Sequence, residues 1–185
     1  MKIRMMLMMF CVLAFTSAVF AQSNGSFENG INPGSFTTVS AGSNNITDWS
    51  VNFGSVDYIG SYWQASEGVR SIDLNGTTRG QISQRLTTVP GSTYQVTFDM
   101  SGNPDGSPAQ KIMSVSINGG QSSQSYTYDT SLTGNTREDM KWMSNTYFFT
   151  ATSRRTVLAF TSEIVGLFGP ALDNVTITLI NSPNP

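Results

Sequence analysis

The sequence has no histidine and one cysteine, Cys11, in 185 residues. Each absence removes a class of chemistry. Without imidazole, and with no second thiol, the chain cannot assemble the usual Ser-His or Cys-His nucleophile. Zinc sites of nitrogen and sulfur ligands and a disulfide framework go with them. Metal binding is left to oxygen ligands, and calcium is the hard cation expected. Charge is also sparse: charged residues make up 12% of the chain, 10 basic against 12 acidic. No basic stripe exists to neutralise phosphates, so nucleic acid is excluded as a partner. A long apolar run is lacking too, since the uncharged stretch from Met5 to Phe15 falls short of the roughly 20 residues that span a bilayer.

That short run follows Lys2 and Arg4 and ends at Val19-Phe20-Ala21, the pattern of a secretory signal cleaved after Ala21. A retained anchor is opposed by the length of the run. Lipidation at Cys11 is opposed by the lack of a Leu-rich stretch before it. Removal of 1–21 takes Cys11, Lys2 and Arg4 away and leaves 8 − 12 = −4 as the net charge. The expectation is a secreted chain, not inserted in a membrane, with one domain over 22–180 and a short tail over 181–185.

What is present reads as β throughout. Thr93 to Met100 places Tyr94, Val96, Phe98 and Met100 on one face, and Lys111 to Asn118 does the same with Met113, Val115 and Ile117. Thr146 to Ala151, Thr156 to Ser162 and Asn174 to Ile180 are rich in β-branched and aromatic residues. Turn formers at Pro90-Gly91, Asn103 to Gly106, Asn118 to Gly120 and Gly169-Pro170 separate them. No helical periodicity appears after residue 21. An all-β, antiparallel two-sheet sandwich of jelly-roll type is expected.

Four stretches carry a family likeness: NGSFE (24–28), VDYIGSYWQASEGVRSIDLNG (56–76), QRLTTVPGSTYQVTFDMSGNP (84–104) and GPALDNVTI (169–177). In this order and over essentially the whole chain after the signal, the sequence resembles the DUF642 family and its bacterial relatives, the choice-of-anchor C proteins. The resemblance implies a galactose-binding-like sandwich in an extracellular protein. Plant members are cell-wall proteins associated with polysaccharide and pectin-modifying enzymes. Bacterial members carry a C-terminal anchoring signal after the domain, whereas this sequence stops at Asn181-Ser182-Pro183-Asn184-Pro185, which favours a freely secreted module.

Glu28 and Asp173 each follow a large apolar residue, Phe27 and Leu172, which sets them at the edge of a core where an unpaired charge is costly. If the chain ends lie side by side, one calcium ion bound by both carboxylates and nearby carbonyls would neutralise them and tie the termini. Carbohydrate-binding modules of similar fold use such a site. The alternatives are an arginine partner or a turn cap for Glu28, and an Asx-turn to Val175 for Asp173.

Within 55–76, Val56, Tyr58, Ile72 and Leu74 alternate as core residues, which turns Asp57 and Asp73 outward or into a turn. Asp57, Glu67 and Asp73 are carboxylates that glycoside hydrolysis would need in a defined pair. Solvated or paired roles, as with Arg70, are the commoner fate of such loop carboxylates, so no enzyme is expected. Tyr62 and Trp63 sit in a loop bounded by Gly60 and Gly68 and suit stacking on sugar rings, with Gln64, Glu67 and Arg70 nearby to bond hydroxyls. The competing reading makes Trp63 a plug between the sheets. Trp49 reads as core beside Val51 and Phe53, Trp142 is ambiguous, and Tyr126 with Tyr128 forms a candidate exposed strip. Two function classes follow: a noncatalytic carbohydrate-binding module for extracellular or cell-wall polysaccharide, or a structural domain that binds an extracellular protein.

Overall fold

Alternating apolar and polar residues build the strands. The computed structural model describes residues 23–183, so the expected signal segment lies outside the described residues. The elements are β1 (Phe36–Ser40), β2 (Ser50–Phe53), β3 (Ser55–Ile59), β4 (Ser71–Asp73), β5 (Gln81–Thr87), β6 (Thr93–Gly102), β7 (Gln110–Ile117), β8 (Ser122–Asp129), α1 (Thr130–Thr133), β9 (Met143–Thr150), β10 (Arg155–Ser162) and β11 (Pro170–Asn181). They form a six-stranded sheet in the order β1-β3-β4-β11-β6-β9 and a five-stranded sheet in the order β2-β5-β10-β7-β8. Every pairing is antiparallel. This is the two-sheet sandwich expected. No helix among the described residues is long and apolar enough to cross a membrane.

The main core lies between the sheets. Tyr94, Val96, Phe98 and Met100 from β6 meet Met113, Val115 and Ile117 from β7, and Val56, Tyr58, Ile72 and Leu74 join them as the alternation requires. Trp49 is buried here, its ring 5.2 Å from that of Phe27, with Nε1 donating to the Asn24 carbonyl at 2.8 Å. Phe53 is not its companion, because a register shift between Val51 and Phe53 turns Phe53 outward to 39% exposure. The Tyr126 and Tyr128 strip is corrected as well. Both rings face the opposite sheet, Tyr128 fully buried and Tyr126 edge-on to Phe98 at 5.0 Å, and it is the serines of β8 that face solvent.

The last strand begins earlier than its apolar pattern suggests. β11 starts at Pro170 and carries a bulge at Asn174, whose φ is 48°, with the register to β6 shifting between Asp173 and Thr176. The shift breaks the alternation, so only the part after it reads as strand. Before the bulge, Leu172 points into the core and Asp173 points away from it. Val175 N–H donates to the Gly25 carbonyl at 2.9 Å, so the two ends of the domain do run side by side. The single turn α1 was not foreseen: Asp129 caps it by accepting from Ser131 N, and Gly134 closes it at φ 60°.

Candidate functional site on the outer face of the larger sheet

Strand register puts four aspartates on one face. Asp57 of β3 stands opposite Asp73 of β4, and Asp99 of β6 stands opposite Asp173 of β11. Their neighbours Tyr58, Ile72, Phe98 and Leu172 point into the core, so all four carboxylates project from the outer side. Like charges directly opposed across a sheet repel, and the loops that cover this face answer with N–H donors. Asp73, 1% exposed, accepts from Asn75 N (2.8 Å), Gly169 N (3.1 Å) and Asn103 Nδ2 (2.8 Å). Gly169 allows this contact, since a Cβ there would lie 2.2 Å from Asp73 Oδ1. Burial pushes the Asp73 carboxyl up to about 8 against the pull of those donors. Asp99 accepts from Ser66 Oγ at 2.6 Å and Asn174 Nδ2 at 3.0 Å.

The covering loops have a small core of their own. Trp63 is 5% exposed and packs with Ile59, Met140 and Ala171, its Nε1 donating to Ser71 Oγ at 2.8 Å. It is neither an exposed stacking platform nor a plug between the sheets, but the wedge between loop 60–70 and the outer face of the larger sheet. A Gly-bounded loop with two aromatics reads as exposed only until a second loop, 134–142, is known to close over it. Tyr62 is half-buried, with Phe36 edge-on at 5.1 Å, the Arg137 guanidinium 4.2 Å over its ring and its hydroxyl donating to Asp105 at 2.7 Å. Arg137 also pairs with Asp105 at 2.8 Å.

The remaining expected ligand contacts serve the loops. Gln64 Oε1 accepts from Met140 N at 3.2 Å, and its carbonyl accepts from Trp142 Nε1 at 3.0 Å. Glu67 has an exposed side chain, while its backbone N–H donates to Asp173 Oδ2 at 3.0 Å. Arg70 donates to Tyr58 Oη at 2.6 Å, so it pairs with neither Asp73 nor Glu67. The structure therefore separates the expected set: Tyr62 and Trp63 line one hollow, and Trp63, Gln64 and Arg70 line another.

Glu28 and Asp173 hold the same loop. Glu28 Oε1 accepts from Val69 N and Arg70 N, both at 2.8 Å. Asp173 Oδ2 accepts from Ser66 N at 2.7 Å and Glu67 N at 3.0 Å, and its Oδ1 from Asn174 N at 2.6 Å. Gly68, at φ 66°, is required between them, because a Cβ there would fall 2.3 Å from Glu28 Oε1. Burial pushes the Asp173 carboxyl up to about 7. A calcium cage needs six to eight oxygen ligands. Here both carboxylates face N–H groups, and no cluster of three or more acidic ligands exists among the described residues. Three of the four carboxylate oxygens of the pair already accept amide donors, so a calcium ion held by both side chains would share oxygens with those amides.

Beside this covered region lies an open hollow of about 250 Å³, walled by Phe36, Tyr62, Trp63, Leu167 and Phe168, with Asp57 and Asp73 also lining it. Phe36 is 45% and Leu167 53% exposed at its rim. Asp57 Oδ1 accepts from Thr38 at 2.6 Å, and its second oxygen has no partner among the described residues. Burial holds the Asp57 carboxyl above its ordinary range, and the Thr38 bond opposes this. Two turns shape the rim, 103–106 and 163–169. Buried Lys111 ties them together by donating to the Gly106 carbonyl at 2.7 Å and the Phe168 carbonyl at 2.8 Å. Sequence reasoning missed Phe36, Leu167 and Phe168 as lining residues. The one available signal was an apolar Leu-Phe pair inside the Gly166 to Pro170 turn.

The family model described as "Protein of unknown function (DUF642)" matches residues 21–178. Halomucin of Haloquadratum walsbyi is 34% identical over 183 residues, covering 92% of this chain, while the chain spans 2% of the length of halomucin. Among solved structures, the CBM22-1 xylan-binding domain of Xyn10C from Paenibacillus barcinonensis superposes with a TM-score of 0.50 at 16% identity, covering 79% of this chain and 94% of that domain. TmCBM61 in complex with β-1,4-galactotriose gives 0.49 at 13% identity, covering 87% and 99%.

Proposed function

The chain belongs to the DUF642 family, and from that premise we propose that it is a secreted, noncatalytic module that binds extracellular polysaccharide through the hollow beside Asp57. One observation carries this reading: Asp57, which has a carboxylate oxygen without a partner among the described residues, lines a hollow rimmed by exposed Phe36 and Leu167. Sugars present apolar C–H faces and hydroxyl donors, and such a hollow meets both, the ring edges by apolar contact and the hydroxyls by Asp57. At about 250 Å³ it falls just under the ~300–1,000 Å³ of sites for drug-sized ligands, which suits one ring or a chain end. The xylan-binding domain of like fold supports carbohydrate as the ligand class.

Hydrolysis at the opposed pair Asp57 and Asp73 is not part of this reading. A general acid must hand its proton to the glycosidic oxygen, and both Asp73 oxygens are occupied by amide donors in a buried position. The test is an affinity gel with a polysaccharide panel. Asp57→Ala and Phe36→Ala should each lower retention about tenfold or more while melting as the parent does. Retention of wild type by no polymer, together with capture of an extracellular protein through the same rim, would replace sugar by a protein partner.

A further inference from the structure

The hollow beside Asp57 is selective in the hydrogen-bonding groups it can meet. Each side-chain donor that lines it already has a partner: Thr38 Oγ1 donates to Asp57 at 2.6 Å, Asn103 Nδ2 to Asp73 at 2.8 Å, Tyr62 Oη to Asp105 at 2.7 Å and Trp63 Nε1 to Ser71 at 2.8 Å, while the Thr77 hydroxyl pairs with that of Ser55 at 3.0 Å. The free atom is an acceptor, the second carboxylate oxygen of Asp57. Behind the wall stands another: buried Asn75 Oδ1 lacks a donor among the described residues. A Cβ on Gly169, the residue after Phe168, would meet Asn75 Oδ1 at 2.6 Å and Asp73 Oδ1 at 2.2 Å, so two acceptor oxygens converge there. A sugar hydroxyl is donor and acceptor at once, whereas an ammonium is three donors and no acceptor. A hollow of acceptors matches the ammonium.

The walls point the same way by an independent route. Phe36, Tyr62, Trp63 and Phe168 all line the hollow, with ring centroids 5.1 Å apart for Phe36 and Tyr62 and 5.8 Å for Tyr62 and Trp63. An aromatic face is the negative side of the ring quadrupole and attracts a cation within about 6 Å of the centroid. Tyr62 already does so on one side, where the Arg137 guanidinium stands 4.2 Å over its ring.

The cations of the protein leave Asp57 unanswered. Arg137 pairs with Asp105 at 2.8 Å, Lys111 Nζ donates to the Gly106 and Phe168 carbonyls, and no ion pair reaches Asp57 among the described residues. Asp73 keeps its proton up to about 8, so below that pH the charge of the opposed pair rests on Asp57. A partly buried carboxylate with one hydroxyl partner is offset best by a cation. We propose that the polysaccharide taken by this hollow bears free amines, with the ammonium of one amino-sugar ring seated between Asp57 and the aromatic walls. This rests on the polysaccharide-binding reading above and narrows it to cationic sugars. Uronate chains are disfavoured, because no basic side chain lines the hollow to receive them.

The experiment titrates the protein by calorimetry at about pH 6, where an amine is protonated. The probes are the β-1,4-linked tetramers of glucosamine, N-acetylglucosamine and glucose, with tetragalacturonate as the anionic sugar and tetralysine as a cation without a sugar ring. The glucosamine tetramer should bind about tenfold or more tighter than each of the others. Asp57→Asn keeps the shape of the hollow and should remove that preference. Phe36→Leu, at an exposed position, keeps apolar contact without the ring face and should reduce the preference about threefold. Equal binding of the three uncharged and amino tetramers, all weakened alike by Asp57→Asn, would leave the polysaccharide site standing and overturn the ammonium preference. Glucosamine binding that Asp57→Asn does not change would overturn it too, by placing the contact elsewhere. Tetralysine bound as tightly as the amino sugar, and lost in Asp57→Asn, would assign the hollow to a lysine side chain of a protein. Binding of none of the sugars would overturn this inference together with the reading it rests on.

Discussion

The two outer faces of the sandwich differ in how they treat polar groups. On the larger sheet, four aspartates stand in opposed pairs and loops fold over them, so that Asp73 and Asp173 reach full burial with three N–H partners each. On the smaller sheet, the transverse row Ser83, Ala159 and Ser116 is serine and alanine, and the Ser83 and Ser116 hydroxyls have no hydrogen-bond partner among the described residues. One face holds charge and needs a protein structure to hold it. The other holds weak dipoles and needs none. Loops can therefore shape a small hollow on the first face, while the second offers only what the pleat and register provide.

The sharpest way to break this contrast is to remove the wedge under the loops. Trp63→Ala should destabilise by about 3–5 kcal/mol, as a large-to-small change in a packed site does, and it leaves Ser71 Oγ without its donor. Ser116→Ala on the other face should stay within about ±0.5 kcal/mol. Denaturant melts of both variants check this. A Trp63→Ala protein as stable as the parent would mean that loop 60–70 is not packed as described.

The next effect in size concerns the pins of that loop. Asp173→Ala strands three N–H groups, and a buried donor left unsatisfied costs about 1–3 kcal/mol; a loss of about 3 kcal/mol is expected, with Glu28→Ala smaller because its partners are more exposed. Chelator and added calcium should both leave the melting temperature unchanged if the amides alone hold these carboxylates. A folded-state calcium ion at about 100 times its dissociation constant would instead add about 2.7 kcal/mol, and a chelator-sensitive melt would restore the calcium reading.

A third measurement follows from charge burial. Asp73 keeps its proton up to about 8 and Asp173 up to about 7 in the folded chain, both raised by burial from an ordinary value near 3.8. Between those limits the folded state holds more protons than the unfolded one, so raising the pH favours unfolding. The stability these groups give is complete below pH 4 and is lost as pH climbs through about 7 to 8. The melting temperature should rise on acidification from pH 8.5 to 5, and Asp73→Asn should flatten that slope. A melt independent of pH over this range would show that both groups ionise normally.

The fold was legible because its strands alternate. Tyr94 to Met100 and Met113 to Ile117 announce their inner faces, and the structure buries each of them. Where alternation fails, so does the reading: the bulge at Asn174 hid the first residues of β11, and the shift before Phe53 turned a core candidate outward. The site was less legible, for a different reason. Trp63 and Tyr62 look exposed in a Gly-bounded loop, and their burial depends on Met140, Trp142 and Arg137 some 75 positions away. The Asp57 and Asp73 opposition and the serine row are products of register between strands distant in sequence, which a single strand's pattern does not contain. Glu28 and Asp173 were found as carboxylates in need of partners, and backbone amides of loop 60–70 donate to both.

The smallest change in stability is expected where the change in binding is among the largest. Asp57 and Asp73 face each other across β3 and β4, and above about pH 8, where Asp73 ionises as well, opposed like charges cost on the order of 0.2–1 kcal/mol. Asp57 also pays for partial burial with only the Thr38 hydroxyl as partner. Asp57→Asn keeps the shape, removes the charge and should leave the domain as stable as the parent or more stable by up to about 1 kcal/mol. The same substitution removes the free carboxylate oxygen from the hollow, and charge-assisted hydrogen bonds are about twice as strong as neutral ones, so retention on the polysaccharide that the hollow binds should fall about tenfold. A stability gain with a binding loss is what a residue kept for function gives. Melting and affinity-gel retention of this one variant decide it: a loss of stability with retention unchanged would make Asp57 a structural residue of the larger sheet and leave the hollow without its acceptor.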